Sequence, residues 1–176
     1  GALRGVMHAA GVLSDSMLGK QDKESMSRVF VPKASGAWYL HKHTHSDKLD
    51  VFMAFSSVAS LFGNVGQANY SAANAYMDEL VRWRVSQGLC GTSVQWPAVS
   101  GVGMAAAMDE RVKVDKSMSI DVATVKRVVA QLIVGGLMTA SSAVQGVLPR
   151  GLLQEGASLD VIAPLVEAVQ IKNNSK

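Results

Sequence analysis

Residues 51–74 read VFMAFSSVASLFGNVGQANYSAAN. The apolar, β-favouring run from Val51 to Phe55 has the pattern of a buried strand, and Ser56-Ser57 mark its end. A loop of small residues follows, from Val58 to Asn69, with Gly63 and Gly66 where the chain has to return tightly. A helical pattern then opens at Tyr70 and runs to Gly88. Strand, short loop and helix in that order is the repeating unit of a parallel α/β sheet.

The rest of the chain repeats this unit. Leu3 to His8, Thr92 to Trp96 and Ala143 to Leu148 read as further strands. Gln21 to His45, interrupted by Pro32, and Asp121 to Val134, with Asp121 as its N-cap, read as helices. The alternation predicts a parallel sheet covered by helices on both faces and joined by right-handed crossovers. Ligands in such sheets bind beyond the carboxyl ends of the strands. Attention therefore falls on Ala9-Ala10-Gly11 after the first strand, Ser56-Ser57 after the second and Pro97 to Gly103 after the third. Residues 1–150 carry this pattern; 151–176 read as a short helix and a frayed linker.

Composition narrows the function classes. With 176 residues, 48% hydrophobic and 18% charged, the chain has enough apolar material for one buried core and little disorder. Its formal charge of +3 is spread thinly, without the basic run that grips phosphates, so no nucleic-acid partner is expected. Cys90 is the only cysteine, which excludes an internal disulfide and suits a reducing, cytoplasmic setting. Val122 to Ala140 is the most apolar stretch, but Lys126 and Arg127 interrupt it, so no membrane helix is expected there. His41 and His45 share a helix face with His43 between them, yet no cysteine or acidic cluster completes a coordination shell, and no metal site is expected. The chain begins at Gly1 and runs almost at once into a strand, which reads as a piece of something longer.

Chemistry concentrates around Tyr70. Asn74 stands one turn later on the same helix face, and the glycine-containing loop lets the Ser57 hydroxyl approach the phenol. Reduction of a ketone needs a proton for the developing alkoxide and donors aimed at that oxygen, and a phenol can serve both needs. An unperturbed tyrosine titrates near pH 10, so a nearby cation should be needed to favour the phenolate, and Lys33 is the candidate. From spacing alone, a helix-start aromatic, a turn serine and a surface amide read equally well.

The longer pattern tips that balance. Phe55-Ser56-Ser57-Val58-Ala59-Ser60 and Gly66-Gln67-Ala68-Asn69-Tyr70-Ser71-Ala72-Ala73-Asn74-Ala75-Tyr76 resemble the ketoreductase domains of modular polyketide synthases, members of the short-chain dehydrogenase/reductase superfamily. His8-Ala9-Ala10-Gly11-Val12-Leu13, Pro32-Lys33, Gly36-Ala37-Trp38, Gly103-Met104-Ala105 and Leu148-Pro149-Arg150 extend the resemblance over residues 1–150. It implies a Rossmann-like fold with Tyr70 as general acid, Ser57 as second donor to the ketone oxygen, Lys33 lowering the phenol pKa, and Asn74 ordering the proton path. Most of the superfamily places the lysine four residues after the tyrosine. Asn74 in that position, with Lys33 on the preceding helix, is similar to the polyketide-synthase arrangement.

The same resemblance implies NADPH as cofactor, bound by His8, Ala9, Ala10, Gly11, Lys33, Tyr70, Pro97, Ala98 and Val99; His8 reads as structural, at most lining the cofactor crevice. Trp96-Pro97-Ala98-Val99-Ser100 departs from the Trp-Gly-Pro-Trp-like sequence of many relatives. Stereocontrol and substrate contact fall by resemblance to Asp15, Phe62, Asn69 and Met104. Leu13-Ser14-Asp15 keeps the second acid of a Leu-Asp-Asp motif, and Phe62 stands where the opposite class carries a tryptophan, so a D-configured (B-type) hydroxyl is expected. Met104 to Ser119 resembles a substrate lid.

The implied partners are an acyl carrier protein bearing a β-ketoacyl thioester and the upstream half of the same reductase domain. The Gly-rich, pyrophosphate-binding turn of a dinucleotide site is not found in this sequence. An incomplete sheet, with the Leu3 to His8 strand open at its edge, and an isolated chain that neither binds NADPH tightly nor reduces ketones are therefore expected. Two other functions fit the same residues: a short-chain reductase of a free ketone, and a non-catalytic structural or docking domain.

Overall fold

The computed structural model describes residues 1–101, 116–134 and 143–149. Two compact units emerge, Gly1–Trp96 with Ala123–Val147, and Pro97–Val122 with Leu148–Lys176.

The first unit is built on four parallel strands: β1 (Gly5–His8), β2 (Val51–Ser57), β3 (Thr92–Trp96) and β6 (Val144–Gly146), in that spatial order. Val6 pairs with Phe52, Ala54 with Ser93 and Ser93 with Val144. Burial follows position. All five residues of β3 are buried, and β2 is buried over most of its length, as expected of strands covered on both faces. Among the described residues β1 pairs only with β2, and Met7 on it is half exposed.

Four helices flank these strands: α1 (Lys23–Phe30), α2 (Gly36–Thr44), the short α3 (Ala59–Phe62) and α4 (Ala68–Ser86). Asp22 and Ser25 cap α1 reciprocally. The Asp22 carboxylate accepts from the Ser25 N–H at 2.8 Å, and the Ser25 hydroxyl accepts from the Asp22 N–H at 2.9 Å. The core joins Ala37, Phe52, Ala54, Met77, Leu80 and Val81. A fifth helix, α5 (Val122–Val134), begins directly after Asp121.

Pro32 does not end the helix expected from Gln21 to His45. A single π turn, Val31–Ser35, joins α1 to α2, and the Gly36 N–H reaches back to the Val31 carbonyl. Proline brings no N–H and its ring crowds the carbonyl four residues earlier, so the chain widens locally instead of stopping. α4 starts two residues before Tyr70, which places that phenol in its first turn.

In the second unit, the short strands β4 (Ala98–Val99) and β5 (Ser119–Ile120) pair in parallel. Met104 and most of the expected lid lie outside the described residues, as does 151–176. Among the described residues, no helix is long and apolar enough to cross a membrane.

Candidate active site

The first unit gathers Lys33, Ser57, Tyr70 and Asn74. β2 delivers Ser57 at its last residue, α4 carries Tyr70 and Asn74 one turn apart, and the π turn carries Lys33. The Lys33 ammonium stands 5.2 Å from the centroid of the Tyr70 ring and donates to the Phe55 carbonyl at 3.2 Å. The Asn74 amide donates to the Tyr70 carbonyl at 2.8 Å, and Ser57 Oγ accepts from the Ala59 N–H at 3.1 Å. Among the described residues, Asn74 Oδ1 is buried without a hydrogen-bond partner.

Burial dominates the electrostatics. Lys33 is only 2% exposed, and desolvation brings its pKa down to about 8, against a smaller opposing pull from Asp78. The Tyr70 phenol moves above its ordinary value, again because burial disfavours the charged form. Hydrogen bonds from Asn74 and Ser57 pull it back, while the Asp15 carboxylate pushes it further up. In this site burial outweighs the hydrogen bonds from Asn74 and Ser57 that favour phenolate.

Asn69, expected by resemblance to meet substrate, is fully buried. Its amide donates to the Ser14 carbonyl at 2.8 Å and the Ser25 carbonyl at 3.3 Å, and its oxygen accepts from the Tyr70 N–H at 2.7 Å. It therefore ties the start of α4 to the segments around Ser14 and Ser25, with both amide hydrogens committed. His8, read as structural or at most lining a cofactor crevice, is buried and directs Nε2–H to the Lys33 carbonyl at 2.9 Å.

The remaining predicted residues lie on loops and strand ends. Ala9 and Ala10 are exposed just past β1, with Gly11 half-buried behind them. Asp15 accepts from Gln67 at 2.9 Å, and the Ser16 N–H bonds the Gly66 carbonyl, so the 14–16 segment is fastened to the loop before α4. Gly63 and Gly66 hold positive φ of 72° and 75°, the conformation that calls for glycine in this return loop. Phe62 is half-buried at the end of α3. In the second unit Pro97 is buried and Ala98 and Val99 are half-buried.

Asp78 was missed by sequence reasoning. It is buried, lies one turn beyond Asn74, and its carboxylate accepts from Ser93 at 2.6 Å, Ser60 at 2.7 Å and Gln95 at 2.9 Å. The signal was available: Tyr70, Asn74 and Asp78 recur every four residues along one helix face. His41 is buried against Arg84, whose guanidinium donates to its Nδ1 at 2.9 Å, and among the described residues no three potential ligands gather.

A buried lysine, a phenol and two polar side chains at the carboxyl end of a parallel strand form an arrangement able to pass a proton to an oxygen and stabilise charge on it. Comparison with known proteins agrees. Residues 1–101 match the KR domain family. Mycocerosic acid synthase-like polyketide synthase of Mycobacterium tuberculosis is 45% identical over 109 residues, 62% of this chain and 5% of that protein. Phthioceranic/hydroxyphthioceranic acid synthase of the same species is 46% identical over 101 residues, 57% of this chain and 5% of that protein. The chain thus spans a small fraction of the curated relatives it matches.

Among solved structures, the first ketoreductase of the tylosin polyketide synthase is 33% identical, with a TM-score of 0.71 over 90% of this chain and 34% of that one. An A-type ketoreductase from a modular polyketide synthase is 28% identical, with a TM-score of 0.76 over 88% of this chain and 32% of that one. On sequence and fold together, the chain belongs to the KR domain family, the ketoreductase domains of polyketide synthases.

Proposed function

We propose that this chain supplies the proton-delivery side of an NADPH-dependent reductase that converts a β-ketoacyl thioester, carried on an acyl carrier protein, to the β-hydroxyacyl thioester. The observation that carries the reading is the convergence of Lys33, Ser57 and Asn74 on Tyr70 within one buried site. Ser57 and the Tyr70 hydroxyl would hold the ketone oxygen, and Tyr70 would give its proton to that oxygen as negative charge develops there. Tyr70 is protonated at neutral pH, and the hydrogen bonds from Asn74 and Ser57 offset part of the burial that makes its phenol a weaker acid. Lys33, mostly protonated below pH 8, stabilises the phenolate left behind.

The site also fits a hydroxyl-rich cofactor. Asn74 Oδ1 is an unpaired buried acceptor, and a lysine ammonium has three donors, of which the Phe55 carbonyl takes one. Lys33 and Tyr70 would hold the nicotinamide ribose. When bound, the dihydronicotinamide would supply the hydride to the carbonyl carbon.

The family's synthase setting favours a carrier-bound substrate over a free ketone. The D-configured product rests on Asp15, which Gln67 holds and whose charge is felt at Tyr70. A-type ketoreductases share the same backbone, so the side chain and not the fold supports that preference.

The test uses the synthase polypeptide that carries this chain. With NADPH, the carrier-bound β-ketoacyl substrate should be reduced with kcat/KM at least about tenfold above that of the same ketone supplied free, giving the D-alcohol. Equal rates on the free ketone, or the L-alcohol, would overturn the corresponding part of the reading.

A further inference from the structure

His8 takes no part in the proton path described above, yet its surroundings are specific. It ends β1, is buried, and donates from Nε2 to the carbonyl of Lys33. That carbonyl belongs to the π turn Val31–Ser35, where Pro32 contributes no N–H. A π turn is one residue wider than the α-helix on either side of it. Relaxing it by one residue would rotate a side chain about 100° around the helix axis. Whatever fixes the Lys33 carbonyl therefore fixes the direction in which its side chain leaves the helix.

Gly36 bounds the ring on another side. A Cβ at that position would stand 3.1 Å from His8 Cε1 and 3.5 Å from Nε2. Absence of a side chain at residue 36 is thus what leaves room for the imidazole beside the π turn. Burial also pushes the His8 pKa down, so the ring stays neutral near pH 7. In that state Nε2 carries the hydrogen that the carbonyl accepts, which fixes the tautomer.

We propose that His8 is a positioning residue for Lys33: its imidazole, seated against Gly36, clamps the Lys33 carbonyl and holds the π-turn register that sets the Lys33 ammonium beside the Tyr70 ring. The proposal rests on Lys33 being part of the proton-delivery site. It assigns His8 an action through the backbone of another residue and no contact with cofactor or substrate.

Variants at two positions in the synthase polypeptide test it. His8→Leu keeps bulk and removes the donor, His8→Gln places an amide N–H near the position of Nε2, and Gly36→Ala crowds the ring without touching Lys33. The clamp predicts that His8→Leu lowers kcat about tenfold or more while the KM for NADPH stays within about twofold, and that His8→Gln recovers most of the loss. Gly36→Ala should lower kcat in the native background and add little to His8→Ala, where the ring it displaces is gone. A raised KM for NADPH with unchanged kcat would make His8 a cofactor contact and overturn the proposal. A glutamine no better than leucine would reduce the role to packing and overturn it too.

If the native polypeptide reduces no ketone, the functional reading fails by itself. The clamp is then judged from the pH dependence of Lys33 acetylation, read by peptide mass spectrometry. His8→Leu should move its midpoint from about 8 towards the ordinary lysine value, and His8→Gln should not. An unchanged midpoint in His8→Leu would contradict the clamp.

Discussion

The two halves of helix α4 bury polar groups in opposite ways. In its first two turns, Tyr70 and Asn74 sit beside Lys33 with an orphaned amide oxygen and an ammonium held far below its usual pKa. One turn further, Asp78 is as deeply buried, but Ser93, Ser60 and Gln95 engage both of its oxygens. Near the helix end, Arg84 is likewise enclosed, donating to the Cys90 carbonyl at 2.7 Å and to His41 while lying 4.2 Å over the Phe52 ring. Satisfied buried groups hold helices to strands, whereas groups left unsatisfied cost stability and persist where a ligand completes them.

Substitutions on either side should separate these roles. Asp78→Ala would strip the acceptor from three donors and should destabilise the domain by about 4 kcal/mol, read from urea unfolding. A loss under about 1 kcal/mol would mean the network is not what fastens α4 to β3.

Lys33→Met should do the reverse, abolishing turnover while stabilising the fold near neutrality by about 3 kcal/mol, the amount its depressed pKa represents. The sign follows from the depressed value. The unfolded chain binds the proton more tightly, so the cost of burying the ammonium is full below pH 8. It fades as the pH rises from about 8 towards 10.5, and stability from this residue rises across that window. Lys33→Met should flatten that rise, and an unchanged slope would show that the lysine is not desolvated.

Asp15→Asn carries the smallest expected effect. Removing its charge should lower the Tyr70 pKa, seen as phenolate absorbance appearing at lower pH, with little change in unfolding. A rise instead would mean that the carboxylate does not act on the phenol.

How much of this was legible in the sequence depends on the range of the interaction. The β3 strand, Thr92–Trp96, matches its reading because a short apolar run between turn residues is a local signal. The parallel sheet followed from the alternation of such runs with helical patterns. Tyr70 and Asn74 on one face needed only helical periodicity. Pro32 was visible, but not that the chain would widen into a π turn around it, since proline signals a defect and the packing decides its form. The hydrogen-bond partners of Asn69 and His8 were not legible, because Ser14 and Lys33 lie 55 and 25 positions away and meet them only once the strands are stacked.

Tyr70→Phe, in the synthase polypeptide that carries this chain, tests the proton-delivery claim most directly. It removes one hydroxyl and leaves the ring beside Lys33. Ketone reduction should fall about a thousandfold while the Kd for NADPH rises by no more than about tenfold, the share of one hydroxyl on the ribose. Turnover at the native rate would contradict the account.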